Sequence, residues 1–150
     1  MVRFELNKGR WRINLERPLK KLEKVLSKEF RKDSAISIAF ISSNKSKELN
    51  RKYRGKNKAA DILTFVYGKS GLAGDIVLCY GKVKERAKKE HKKILETAAC
   101  LIIHGTCHIL GYSHKSNKAA LRMEKKERAV LKKIKYARLN FSAALKKQGG

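Results

Sequence analysis

The chain has 150 residues, 42% of them apolar, with one proline and ten glycines, which suits the core of one ordinary domain and excludes a disordered basic tail. Thirty-eight Lys and Arg oppose thirteen Asp and Glu, a formal charge of +25 that repels itself unless an anion is near, so nucleic acid is the partner class to expect. A lysine-rich compositional bias would also give such a charge, because the lysines are spread along the whole chain; a membrane surface is the weaker option, since no apolar run approaches ~18 residues.

Residues 2–6 alternate apolar and polar as a strand does. Pro18 suits a first helical turn, and Leu19, Leu22, Val25, Leu26 and Phe30 follow at helical spacing. Residues 35–41 read as a second strand, and a short helix around Ser46–Tyr53 stops at Gly55. Ile62–Tyr67 and Asp75–Tyr80 read as two more strands, separated by a turn region at Gly68–Gly74. Lys82–Glu90 is a polar helix, and Ile94–Leu110 is a strongly apolar one that Gly111 is placed to end. A last helix runs from about Asn117 to Leu139, with Ala120, Met123, Val130, Leu131 and Ile134 on one side, before a frayed tail to Gly150. Four strands and four or five helices in this order predict an α+β sandwich, and the absence of repeats or linkers predicts one domain over residues 1–150. The first fifteen residues lack the apolar core of a signal peptide, and three cysteines (Cys79, Cys100, Cys107) argue against a disulfide framework, so a cytoplasmic location is expected.

Three of the four histidines, His104, His108 and His114, fall within eleven residues. His104 and His108 share one face of a helix, and Gly111 lets the chain turn so that His114 returns toward the same point. The metal site is thus expected on a helix end and the loop after it, with three protein nitrogens and a position left open. The spacing H-x3-H-x2-G-x2-H is that of metzincin proteases, but the glutamate that serves there as general base is replaced here by Gly105, which points to a metal hydrolase other than a peptidase. Two other readings stand beside it: polar or core histidines without a metal, and a closed structural site with Cys107 as fourth ligand, although Cys107 points about 100° away from His108 on a helix.

The segment Ile103–His114 resembles the signature H-G-x-L-H-L-x-G-Y-D-H of the YbeY family of bacterial metal-dependent endoribonucleases, through His104, Gly105, His108, Gly111, Tyr112 and His114. Leu49–Arg54 is similar to that family's L-N-x-x-Y-R, Asp61–Phe65 to its T-D-V-L-S-F and Gly74–Val77 to its G-D-I-V, and Met123-Glu124 matches a Met-Glu pair that follows. The resemblance implies an α+β fold with a small mixed four-stranded sheet packed with four to five helices. It implies one zinc ion (Zn2+), or another divalent transition metal, held by His104, His108 and His114. It also implies single-strand-specific cleavage of RNA in rRNA maturation and ribosome quality control, with the small ribosomal subunit as partner, and Arg54 and His104 as catalytic residues. Ser113 stands where the family has Asp, a change that bears on metal affinity. Cys107 replaces a Leu, and Ala59-Ala60 replace Pro-Thr.

On this reading Arg54 grips a phosphate and stabilises charge in the transition state, against the plain alternative of one more solvated cation. Asp61 and Asp75, at the starts of two strands, are turn or capping residues, or one of them lies near the metal as an acceptor. Glu124 is expected on a helix surface, Tyr112 is expected to pack down rather than stack on a base, His91 to be solvated, and Trp11, Tyr53 and Tyr67 to be core or half-buried. The basic groups in Lys82–Lys93 and Lys115–Lys135 are expected to contact phosphates, so that RNA binding weakens steeply with salt.

Overall fold

The computed structural model describes residues 1–67 and 72–136. Its elements run β1 (Val2–Asn7), α1 (Glu16–Glu29), β2 (Ser34–Ile41), α2 (Ser43–Arg54), β3 (Ile62–Val66), β4 (Leu72–Cys79), α3 (Tyr80–Lys89), α4 (Ile94–Ile109) and α5 (Asn117–Tyr136). The fold is α+β, as the element pattern predicts. The four strands form a mixed sheet in the order β1-β2-β4-β3, with β1, β2 and β4 parallel and β3 antiparallel to β4.

Alternation along the strands sorts the sheet into two faces. Register aligns Ile36, Ile38 and Phe40 of β2 with Gly74, Ile76 and Leu78 of β4, and all six are buried. The five with side chains enter one apolar cluster with Leu22 and Leu26 of α1, Ile102 of α4 and Val130 of α5. Burying each such side chain contributes about 1.5–3 kcal/mol. The opposite face is covered over β3 and β4 by α2, where Tyr53 meets Phe65 edge-on at 5.2 Å between ring centroids and Ser43 Oγ approaches Cys79 Sγ at 3.6 Å. The outer edge of β1 is closed by α1, because Ser27 Oγ accepts from the Val2 N–H at 2.8 Å and Glu23 Oε1 from the Phe4 N–H at 2.9 Å.

Helix α4 lies directly on the sheet. A Cβ at Gly105 would stand 3.1 Å from Ile76 and 3.2 Å from Ile62, so glycine is what permits this approach. That contact fixes the last turns of α4 over β3 and β4.

The two largest boundary differences from the sequence reading are at α2 and β4. Helix α2 begins at Ser43, because Ser42 caps it by accepting from the Lys45 N–H at 3.2 Å. Strand β4 begins at Leu72, so the later part of the expected turn is strand, while residues 68–71 lie outside the described residues. The expected helix end at Leu139 and the tail to Gly150 also lie outside them.

Candidate metal centre

The histidine cluster is built by the end of one helix. α4 terminates in a Schellman motif: the Gly111 N–H donates to the His108 carbonyl at 3.1 Å and the Tyr112 N–H to the Cys107 carbonyl at 3.0 Å. Gly111 has φ +107°, a conformation that strains any residue with a Cβ. The Tyr112 ring then packs edge-on against Phe30, centroids 5.8 Å apart, as expected of it. This reversal brings His114 back over α4.

The three rings converge. Centroids are 4.7 Å apart for His104 and His108, 5.3 Å for His104 and His114, and 5.1 Å for His108 and His114. One ligand-capable atom from each lies within 4.8 Å of the others. His104 Nδ1 meets Glu127 Oε1 on α5 at 2.6 Å, and His108 Nδ1 meets the Tyr112 carbonyl at 3.1 Å. An acceptor at each Nδ1 favours the Nδ1–H tautomer, which turns a lone pair of each Nε2 toward the other ring. Those two atoms face each other at 3.2 Å.

Two lone pairs opposed at that distance repel unless a cation or proton lies between them. Two imidazole nitrogens bound tetrahedrally at about 2.0–2.1 Å stand about 3.3–3.4 Å apart, so this pair is close to the spacing that two ligands of one transition-metal ion take. Burial, with His104 and His114 alongside, lowers the pKa of His108 and keeps its ring in the neutral form a metal requires. The donor set of three imidazole nitrogens fits a transition-metal ion.

Cys107 does not join this group. It is fully buried in the apolar cluster, and that burial pushes its thiol up to about 12, which disfavours a thiolate ligand. Ser113 makes no hydrogen bond to the three histidines among the described residues.

Arg54 is carried to the same place by α2. Gly55 ends that helix at φ +67°, and buried Ser46 and Asn50 pin the chain that follows. Ser46 Oγ accepts from the Ala60 N–H at 2.9 Å and donates to the Ala60 carbonyl at 2.7 Å, and Asn50 Nδ2 donates to the Lys58 carbonyl at 2.8 Å. These backbone contacts do not depend on the side chains at positions 59 and 60. Arg54, Ile62, Thr64, Val66, His104 and His108 line one cleft of about 270 Å3. The Arg54 guanidinium is exposed and makes no ion pair among the described residues.

The remaining expectations divide. Glu124 is on the helix surface, paired with Arg128 at 2.7 Å, and His91 is exposed. Asp61 precedes β3 and accepts from Arg86 at 2.7 Å. Asp75 lies inside β4 rather than at its start, and it bonds to Ser37 and Tyr67 on the face away from the histidines. Trp11 is half-buried, but Tyr53 is 57% and Tyr67 48% exposed. Glu127 was not among the candidates from sequence, yet it is the carboxylate at the site. Its signal was present: it sits four residues after Met123 and three before Val130, inside the apolar stripe of α5, where a charge needs a partner.

The sequence profile of the family described as Endoribonuclease YbeY matches residues 4–135. A protein of that name from Cupriavidus necator is 36% identical over 123 residues, covering 80% of this chain and 62% of its own length. Its counterpart from Buchnera aphidicola is 38% identical over 126 residues, covering 80% of this chain and 78% of its own. The chain thus spans about three fifths of the Cupriavidus relative. The solution structure of TM1509 from Thermotoga maritima superposes with a TM-score of 0.61 at 27% identity, over 91% of this chain and 93% of that one.

Proposed function

The chain belongs to the YbeY endoribonuclease family, and on that premise we propose that it is a single-domain, metal-dependent endoribonuclease acting on single-stranded RNA in rRNA maturation and ribosome quality control. Its resident ion is zinc, held by His104, His108 and His114, its working partner is the small ribosomal subunit, and its compartment is the cytoplasm. The observation that carries the reading is the pair of opposed His104 and His108 Nε2 atoms at 3.2 Å, in a cleft that also holds Arg54, which makes no ion pair among the described residues. The +25 charge supports RNA as substrate, and no described helix is long and apolar enough to cross a membrane.

When bound, the ion supplies Lewis acidity at the scissile phosphate. The chain does the rest by placement. Glu127 and the Tyr112 carbonyl hold the Nδ1–H of His104 and His108, so that both Nε2 atoms stay aimed into the cleft. Arg54, fixed by the Gly55 cap and the Ser46 and Asn50 contacts, presents a planar fork to the phosphate and offsets charge that builds there. RNA carries its own 2′-OH nucleophile, whose proton would pass to solvent, so the glutamate base of a metzincin has no necessary counterpart here. Position 105 supplies none, because Gly105 is packed against Ile76 and Ile62, which argues against a peptidase of the metzincin kind.

The test is cleavage of single-stranded RNA by zinc-loaded protein beside Arg54→Ala. Arg54 is exposed, so the variant keeps its fold and its metal, and kcat falls about 10²-fold or more, as for a lost charge stabiliser. Wild-type protein that binds zinc and RNA but cuts nothing would replace this account with a binding protein holding a structural metal.

A further inference from the structure

A second cavity, of about 370 Å3, adjoins the histidine cleft and shares Ile62 and His104 with it. It lies beyond His104 on the side toward α3, lined by Asp61, Arg86, Glu90, Lys92, Thr97, Cys100 and Leu101 besides the two shared residues. Its size falls in the range of about 300–1,000 Å3 typical of small-ligand sites. Nothing in the proposed chemistry uses it.

Its electrostatics differ from those around Arg54. Arg86 is engaged by Asp61 at 2.7 Å and by Glu90 at 2.7 Å, and Lys92 by Glu90 at 3.4 Å. Two cations and two carboxylates cancel, so a phosphate entering here would compete with carboxylates already in place. A neutral planar group with donors and acceptors along its edge meets no such competition. Such a group can lie against the apolar sides of Ile62, Cys100 and Leu101 and turn its edge toward Thr97. Thr97 is 3% exposed, and its hydroxyl has no hydrogen-bond partner among the described residues. Thr106, on the same helix, gives its hydroxyl to the Ile102 carbonyl at 2.7 Å. A buried hydroxyl left unpaired is costly, and a ligand that pairs with it removes that cost.

We propose that this cavity receives one nucleobase of single-stranded RNA, splayed out beside the bond held at the histidines, while Arg54 takes the phosphate on the other side of His104. The inference rests on the ribonuclease reading for its substrate. Splayed bases of single strands, read along their polar edges, are the usual currency of sequence-tolerant and sequence-specific RNA recognition alike.

The experiment is equilibrium binding of a heptaribonucleotide to the full chain with a chelator present, so that no cut intervenes, with each nucleotide in turn made abasic. One position loses about 10-fold in affinity, the scale of a single well-held base, and the others lose little. Thr97→Val keeps the shape and removes only the unpaired hydroxyl, so it folds; it binds intact RNA several-fold more weakly and no longer responds to the abasic change. Cys100→Trp fills the cavity and does the same. An even loss at every position, or a Thr97→Val chain with the wild-type profile, overturns the proposal. Zinc-dependent cleavage measured separately judges the ribonuclease reading: a refuted cavity with cleavage intact leaves that reading standing, and a base-selective chain that cuts nothing refutes only the nuclease.

Discussion

Replacing Glu127 by Gln weakens metal binding by about 10- to 100-fold and leaves the metal-free fold standing. The perturbation is small in shape, because Gln keeps an acceptor at the same reach, but it removes the charge from a 2.6 Å contact to His104 Nδ1. The pair is shielded, with side-chain exposures of 9% for Glu127 and 34% for His104, so water replaces little of what is lost. A hydrogen bond to a charged group contributes about 1.5–3 kcal/mol, and most of that is expressed only when His104 donates more strongly from Nδ1 as its Nε2 binds a cation. At about 1.4 kcal/mol per tenfold, this gives the one to two decades expected. The assay is zinc competition against a chromophoric chelator, beside thermal unfolding in EDTA. Without metal the variant melts close to the wild-type temperature, since Gln keeps an acceptor within reach of His104 Nδ1. An unchanged zinc affinity with a melting temperature lowered by about 5 °C or more would refute the reasoning, because Glu127 would then act only in packing.

The ion pairs between α1 and α5 make stability depend on acid. Lys133, opposed by burial and helped by Lys126, holds the Glu29 carboxyl below its ordinary 4.5, so its contribution is complete above that pH and lost as pH falls through the lower folded value. Glu29→Gln costs about 1 kcal/mol at pH 7, and the difference from wild type closes in strong acid; urea melts at the two pH values read it, and equal stability at pH 7 contradicts it. Gly74→Ala places a Cβ against the Phe65 carbonyl and 2.9 Å from Ile109, and the unfolding free energy falls by about 2 kcal/mol or more; a variant as stable as wild type would show that β3 yields without cost.

Most of the fold was legible because its period is carried by apolar residues. The exceptions share one cause. Helix α2 buries Ser46 and Asn50 instead of apolar side chains, so its first turn left no hydrophobic period to read, and only the Ser42 cap marked it. Leu72-Ala73-Gly74 read as a turn because glycine is poor in strands, yet pairing with both β2 and β3 holds it extended. The histidines were legible because their convergence is local, within one helix end and one glycine turn. Glu127 is twenty-three residues from His104, and its contact depends on how α5 packs against α4, which spacing along the chain does not encode.

The account rests on three imidazoles sharing one ion that RNA cleavage needs. Zinc titration of purified chain, followed by elemental analysis after gel filtration, tests it most directly beside His108→Ala, with cleavage of single-stranded RNA measured on both. One tightly held equivalent in the wild type, lost together with cleavage in His108→Ala, is the expected result. Wild-type chain that emerges free of transition metal after loading, or a His108→Ala chain that cuts RNA at the wild-type rate, would contradict it.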